Sequence, residues 1–306
     1  HQMRGCGRNP RPPARYIFAV ANLELVRKRD LSPFRKIAIG TWRTTYDPSV
    51  YGTMTVRMEK CLAYLEAYRV ATGKRLNVTH MMARAIGAMF QRVPDANAIL
   101  RFHRVYQRKR IGVFFQVVLE DPQTGEVDLS GCTIHDPEQK TLDQIIDEFA
   151  AKVGRVRTDT DKDLAKSRNM FRRVPSFLVG RMLRLTSFLS YTLNLDLRWA
   201  GIPRDPFGSI MVTNIGSLGL EQAHAPLVPY SRVPIVVALG AIEDTPVVDD
   251  GVVVPGKMMR ICITFDHRIL DGAHASLMAK TVRAWFEDPV TYFGAIPAAL
   301  ATASPA

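Results

Sequence analysis

The sequence predicts an α+β fold, with strands and helices both present in one chain. Three observations carry this reading. Residues 259–265 alternate apolar and polar side chains, as a half-buried strand does, and residues 273–286 then turn helical. Residues 141–156 set Leu142, Ile145, Ile146, Phe149 and Val153 on one helical face. Residues 111–119 form a dense β-prone run without clear alternation, the pattern of a strand buried on both faces.

The remaining elements follow from local signals. Residues 1–15 are rich in Arg, Pro and Gly and predict a disordered basic arm, leaving one domain over 16–306. Residues 16–26 read as a strand or the start of a helix, and residues 34–42 as either. Asp47-Pro48 marks a turn before an alternating strand at 51–58. Residues 59–72 predict a helix ended by Gly73. Residues 79–92 predict a second helix, with Met82, Ile86, Met89 and Phe90 apolar and Pro94 as its stop. Asp121-Pro122-Gln123-Thr124-Gly125 is a turn. Residues 209–212 and 235–239 predict strands, and Asp249-Asp250-Gly251 predicts a hairpin between Val247-Val248 and Val252-Val253-Val254. No internal repeat is evident.

Composition narrows the class. At 306 residues and 47% hydrophobic, the chain can bury a substantial core. No uncharged run is long enough to cross a membrane, and the N-terminus lacks the apolar stretch of a secretory signal, so a cytoplasmic protein is expected. Cys6, Cys61, Cys132 and Cys262 lack CxxC spacing, which predicts neither zinc site nor disulfide framework but reduced thiols. The net charge of +12 is concentrated: residues 1–43 carry +8 and residues 164–204 carry +7, so the remainder sums to −3. Two such segments suit a phosphate-bearing ligand, an acidic partner, an anionic membrane or an ordinary solvated surface.

The sharpest chemical signal is Phe265-Asp266-His267-Arg268-Ile269-Leu270-Asp271-Gly272, between the strand at 259–265 and the following helix. Imidazole is the side chain whose unperturbed pKa lies near neutral pH, so a strand-end His267 is placed to act as a base. Gly272 lets the chain turn into the helix. HExxH, GxSxG, GxGxxG and a phosphate loop are absent, which removes support for metalloprotease, α/β-hydrolase, Rossmann and kinase readings. His103, His135 and His224 have no partners that make a ligand set. His80 reads as a cap or packing residue, and His274 as structural.

Together with two further segments, this octapeptide resembles the catalytic domain of the dihydrolipoamide acyltransferases of 2-oxoacid dehydrogenase complexes. Residues 265–272 look like the family's DHRxxDG signature. Residues 208–216 look like its strand leading into Ser/Thr-Asn-x-Gly, and residues 77–98 like its helix ending in a Pro-(Glu/Asp)-Ala-Asn turn. The resemblance implies a chloramphenicol acetyltransferase-like two-layer sandwich, a mixed sheet flanked by helices, assembled as a homotrimer with active sites between subunits. It implies that His267 is the general base for a thiol of dihydrolipoamide or coenzyme A. Thr213 would donate to the oxyanion, facing the His267 of a neighbouring chain. Asp271 would hold the histidine loop by a salt bridge or hydrogen bond, with Asn214 and Gly272 structural.

By the same resemblance coenzyme A is a substrate, and no metal or nucleic acid is expected. The match begins near residue 34 and leaves no room for lipoyl domains, so the lipoyl group is expected from another protein, with 2-oxoacid dehydrogenase components as possible partners. The tail at 295–306 lacks the apolar anchor of cage-forming members, which favours a trimer. The family usually has a shorter connection where residues 164–206 stand. Here Pro175 is placed to open a helix, and Leu178, Met182, Leu185 and Leu189 share a face beside Arg181 and Arg184. Such a helix suits packing on a neighbouring subunit, or contact with an anionic membrane through residues 170–198. The competing functions are therefore a non-catalytic scaffold built on the same trimer and a membrane-peripheral acyltransferase with a different acceptor.

Overall fold

In the computed structural model the described residues are 22–29, 48–120, 127–157 and 176–296. The expected arm at 1–15, the ambiguous stretch at 34–42, the turn at 121–125, Pro175 and the tail from 297 lie outside them. The described chain runs through β1 (Leu25–Arg27), β2 (Ser49–Arg57), α1 (Glu59–Thr72), α2 (Val78–Arg92), β3 (Ala98–Arg101) and β4 (Arg104–Arg108). It continues through β5 (Gly112–Glu120), β6 (Val127–His135), α3 (Leu142–Arg157), α4 (Ser176–Ser187), β7 (Ile210–Asn214), β8 (Ile235–Asp249), β9 (Val252–Asp266), α5 (Gly272–Glu287) and α6 (Pro289–Phe293).

Local chemistry sets the element ends. Gly73 adopts φ 69° and its N–H closes on the Arg69 carbonyl, so α1 stops where a left-handed residue costs least. The Asn77 side chain accepts from the His80 N–H at 2.9 Å and caps α2. Asp250 and Gly251 take φ 48° and 81°, the two positive angles a two-residue hairpin needs, and Asp249 pairs with Val252 across them.

The main sheet has the order β2-β9-β8-β7-β5-β6. β7 runs parallel to both β5 and β8; every other pairing is antiparallel. Helices cover one face. Met82, Ile86 and Phe90 of α2, Ile145 of α3 and Phe286 of α5 share one buried cluster with Val113, Phe115, Ile210, Val212 and Ile235 of the sheet. Burying each such side chain is worth about 1.5–3 kcal/mol, so this cluster dominates the stability of the layer pair. The architecture is α+β, a mixed sheet with a helical layer. A second, three-stranded sheet has the order β1-β4-β3.

Three expectations need correction. β5 is not buried on both faces: Val113, Phe115 and Val117 are buried, whereas Gln116 is exposed and Phe114 is half-buried against Phe207. The helical layer covers only one face, so alternation is physical here even where the sequence hides it behind aromatic residues. β8 is not a short strand at 235–239 with a separate arm near 247. It runs unbroken to Asp249 through an irregularity between Leu239 and Ile242. β7 begins at Ile210 and extends to Asn214, which takes Thr213 into the strand.

β5 and the start of β7 approach to backbone contact. The Ser209 N–H donates to the Gly112 carbonyl at 2.7 Å. A Cβ on Gly208, whose φ is +60°, would stand 2.5 Å from that same oxygen.

The segment after residue 176 forms α4, which runs into a single π turn, Phe188–Thr192. Leu189, the last residue of the expected stripe, lies in that turn and is half-buried. Leu178, Leu185 and Phe188 are exposed, and Trp199 is 84% exposed. A small buried cluster of Tyr191 with Leu23 and Ile99 and several polar ties hold the segment to the body. Arg101 donates twice to the Thr192 carbonyl, at 3.1 and 2.9 Å, and nearly buried Arg108 pairs with Asp205 at 2.7 Å. Cys61, Cys132 and Cys262 are unpaired and buried. Burial pushes the Cys61 thiol up to about 12 and the Cys132 thiol up to about 11. No helix among the described residues is long and apolar enough to cross a membrane.

Candidate active site

β9 delivers His267 at the edge where β2 enters the sheet. The His267 N–H donates to the Pro48 carbonyl at 2.7 Å. Its Nδ1 lies 2.7 Å from the Leu270 carbonyl oxygen. A carbonyl only accepts, so Nδ1 carries the hydrogen and the basic lone pair resides on Nε2. The Phe265 ring meets the imidazole edge-on, with centroids 6.4 Å apart.

The loop that carries His267 is braced on both sides. Asp266, 5% exposed, accepts from Arg268 through the backbone N–H at 2.9 Å and through the guanidinium at 2.9 and 2.6 Å. The Ile269 and Leu270 N–H groups both return to the Asp266 carbonyl at 3.0 Å, while their side chains are buried in the main core. Asp271 then caps α5. Its Oδ1 accepts from the Ala273 and His274 N–H groups at 3.1 Å each, and from His274 Nδ1 at 2.7 Å. Such a cap is worth about 1 kcal/mol.

Thr213 is half-buried in β7, and the neighbouring Asn214 braces the strand end. The Asn214 amide donates to Thr79 Oγ1 at 3.3 Å, and its carbonyl oxygen accepts from the Ser217 N–H at 3.2 Å. Thr213 pairs with Ala238, and Ala238 with Cys262. His267 is therefore two strands away and five residues further along, about 9.6 Å across and about 16 Å along, or roughly 19 Å in all. One chain does not bring His267 and Thr213 together.

Arg232 is a residue the sequence did not single out. At φ 57° it donates from Nε to Ser187 Oγ at 3.0 Å and from Nη2 to Thr192 Oγ1 at 3.5 Å. Burial, and secondarily the charge of nearby Arg268, push its pKa down. It thus ties the loop before β8 to the α4 segment, and only the folded chain reveals this, since its partners lie 45 and 40 positions away. The Asp266–Arg268 brace was legible in principle, as opposite charges flank His267 within the octapeptide.

His80 packs edge-on against Phe149 at 4.9 Å, with burial lowering its pKa to about 4. Among the described residues no three His, Cys, Asp or Glu side chains gather as a metal site.

Known proteins match this architecture. Residues 207–293 match the family model described as 2-oxoacid dehydrogenases acyltransferase (catalytic domain). The lipoamide acyltransferase component of the branched-chain alpha-keto acid dehydrogenase complex of Pseudomonas putida is 38% identical over 85 residues, 28% of this chain and 20% of that protein. Its mitochondrial counterpart in Arabidopsis thaliana is 34% identical over 110 residues, 35% of this chain and 22% of that one. The aligned region thus spans about a fifth of these relatives' length.

Among solved structures, a dihydrolipoamide acetyltransferase from Azotobacter vinelandii superimposes with a TM-score of 0.59 at 16% identity, covering 93% of this chain and 99% of that one. A probable dihydrolipoamide acetyltransferase from Listeria monocytogenes gives 0.58 at 16%, covering 86% and 95%. The fold is that of the dihydrolipoamide acyltransferase catalytic cores. Residues 207–293 are similar in sequence to the catalytic domain of the 2-oxoacid dehydrogenase acyltransferases.

Proposed function

We propose that the chain is an acyltransferase that moves an acyl group between the thiols of dihydrolipoamide and coenzyme A. The observation that carries the reading is the 2.7 Å contact from His267 Nδ1 to the Leu270 carbonyl, which leaves the lone pair on Nε2 and supports its role as the base. Nε2 takes the proton of the incoming thiol, and the resulting thiolate attacks the thioester carbonyl. The carbonyl electrons move to oxygen, where the Thr213 hydroxyl donates a hydrogen bond. Collapse of this intermediate expels the second thiolate, which recovers the proton from the imidazolium. A positioned base contributes roughly 10²–10⁴-fold, and one oxyanion donor about 2.7–4 kcal/mol.

The roughly 19 Å that separates Thr213 from His267 within one chain supports a site shared between copies in a homotrimer. The Azotobacter vinelandii structure concerns the catalytic roles of a serine, a histidine and an asparagine. There the serine stands 52 positions before the histidine and the asparagine four after it. Thr213 stands 54 before His267 and Asp271 four after. Asp271 acts through the loop, not by proton transfer. Coenzyme A is a substrate, and a lipoyl group of a 2-oxoacid dehydrogenase system supplies the second thiol.

The test mixes two inactive variants. His267→Ala and Thr213→Val homotrimers should each lose at least about 10²-fold in thiol release from acyl-coenzyme A. Co-assembled subunits should regain activity. Wild-type turnover in His267→Ala, or a monomer by mass photometry, would overturn the shared-site mechanism. A second reading has its own observation: exposed Leu178, Leu185 and Phe188 lie beside exposed Arg181 and Arg184. This face suits anionic membrane contact, and flotation with phosphatidylglycerol liposomes separates it from subunit packing.

A further inference from the structure

We infer that His274 is a positioning residue for His267, acting through Asp271 and the peptide plane between Leu270 and Asp271. The two histidines stand seven residues apart, one at the end of β9 and the other in the first turn of α5.

The connection is continuous. His274 Nδ1 lies 2.7 Å from Asp271 Oδ1, so a neutral His274 donates that hydrogen and keeps its lone pair on Nε2. The same carboxylate oxygen accepts the Ala273 and His274 N–H groups, so a single atom gathers three donors. This fixes the Asp271 side chain and, through it, the extended backbone of Asp271 at φ −134°, ψ −177°. The Asp271 nitrogen and the Leu270 carbonyl belong to one rigid peptide unit. Rotating Asp271 therefore swings the Leu270 oxygen. That oxygen holds the hydrogen of His267 Nδ1 at 2.7 Å and thereby decides which ring nitrogen is basic.

An ordinary N-cap needs only the backbone donors. The added ring donor makes His274 more than a cap residue's neighbour. It adds a third donor to Asp271 Oδ1 and so resists rotation of this side chain, which is 29% exposed. Since the Leu270 side chain is fully buried, the peptide plane is anchored on its other side and turns only about the Asp271 end. Position matters steeply here, because misplacement of a catalytic group by about 1 Å costs up to 10²-fold.

The inference rests on the acyl-transfer reading for its kinetic readout only; the spectroscopic readout is independent of it. In the ¹⁵N-labelled protein, the imidazole shifts of His267 should report a single tautomer with the hydrogen on Nδ1. His274→Phe, which keeps ring volume and removes the donor, should give a mixture of tautomers at His267. It should lower kcat roughly 10–100-fold at unchanged KM, with Tm close to wild type. His274→Gln, whose amide restores a donor, should recover most of kcat and the single tautomer. An unchanged His267 spectrum in His274→Phe would overturn the inference. So would a kcat loss that parallels a large fall in Tm, which marks a merely structural cap. A tautomer mixture in His274→Phe, with no acyl transfer even in wild type, would support the positioning role and sink the acyl-transfer reading instead.

Discussion

Two stretches that follow one another in the chain are finished differently. From β7 to α5 the elements cover each other: Ile210, Val212, Ile235, Leu239, Ile261, Val282 and Phe286 all lie in one buried cluster. From α4 to the loop before β7 only Tyr191 joins a small buried cluster, with Leu23 and Ile99; the other attachments are polar, made by Arg101, Arg108 and Arg232, while Leu178, Leu185, Phe188 and Trp199 remain exposed. The first stretch owes its shape to its own core. The second is fastened at discrete points, and no described residue completes its apolar face. The buried core is thus concentrated in one of two neighbouring parts of the chain.

The largest expected break lies at the seam between the two. Gly208→Ala forces a Cβ to within 2.5 Å of the Gly112 carbonyl oxygen at a positive φ. Loss of more than about 4 kcal/mol is expected, read as a chain that no longer unfolds cooperatively in urea. A folded variant with wild-type Tm would show that β5 and β7 do not approach so closely.

His80 tests the covered side by pH. Its folded pKa, about 4, lies below the ordinary imidazole value because burial disfavours the charged ring. Between about pH 6.5 and 4 the unfolded chain therefore binds a proton that the folded chain refuses. This contribution to stability is fully present above pH 6.5 and is lost as pH falls to 4, a change on the order of 3 kcal/mol. His80→Phe should flatten that part of the stability curve in urea titrations. An unaltered slope would mean that His80 is open to water.

The smallest effect should come from the second stretch. Leu185→Ser and Trp199→Ser should each change unfolding free energy by no more than about 0.5 kcal/mol, as exposed positions do. A loss above about 2 kcal/mol, especially one that grows on dilution, would place these side chains in a subunit interface and sharpen the contrast.

The same division governs what could be read from sequence. α1, α2, α3 and α5 announce themselves by period and caps, and the hairpin by Asp250-Gly251, because these signals lie within a few residues. His267 was legible for a similar reason, as its strand, loop and helix are contiguous. β6 and the β3–β4 hairpin were not legible. Phe102 and His103 take positive φ of 46° and 59°, a conformation that neither residue advertises. The separation of Thr213 from His267 within one chain was implied by the family resemblance alone, because it depends on strand order and not on spacing. Arg232 could be recognised only once Ser187 and Thr192 had been folded against it.

The buried cysteines have a practical consequence for the proposed thioester chemistry. A surface thiol beside an activated acyl group invites acylation of the protein itself. Cys61 and Cys132, sealed from solvent and held protonated, make poor acceptors, and Cys262 is equally enclosed. Each turnover should thus be spent on the intended acceptor. Colorimetric thiol reagents applied to the native protein should then register released coenzyme A, with Cys6, outside the described residues, as the position to replace by serine when a blank is needed.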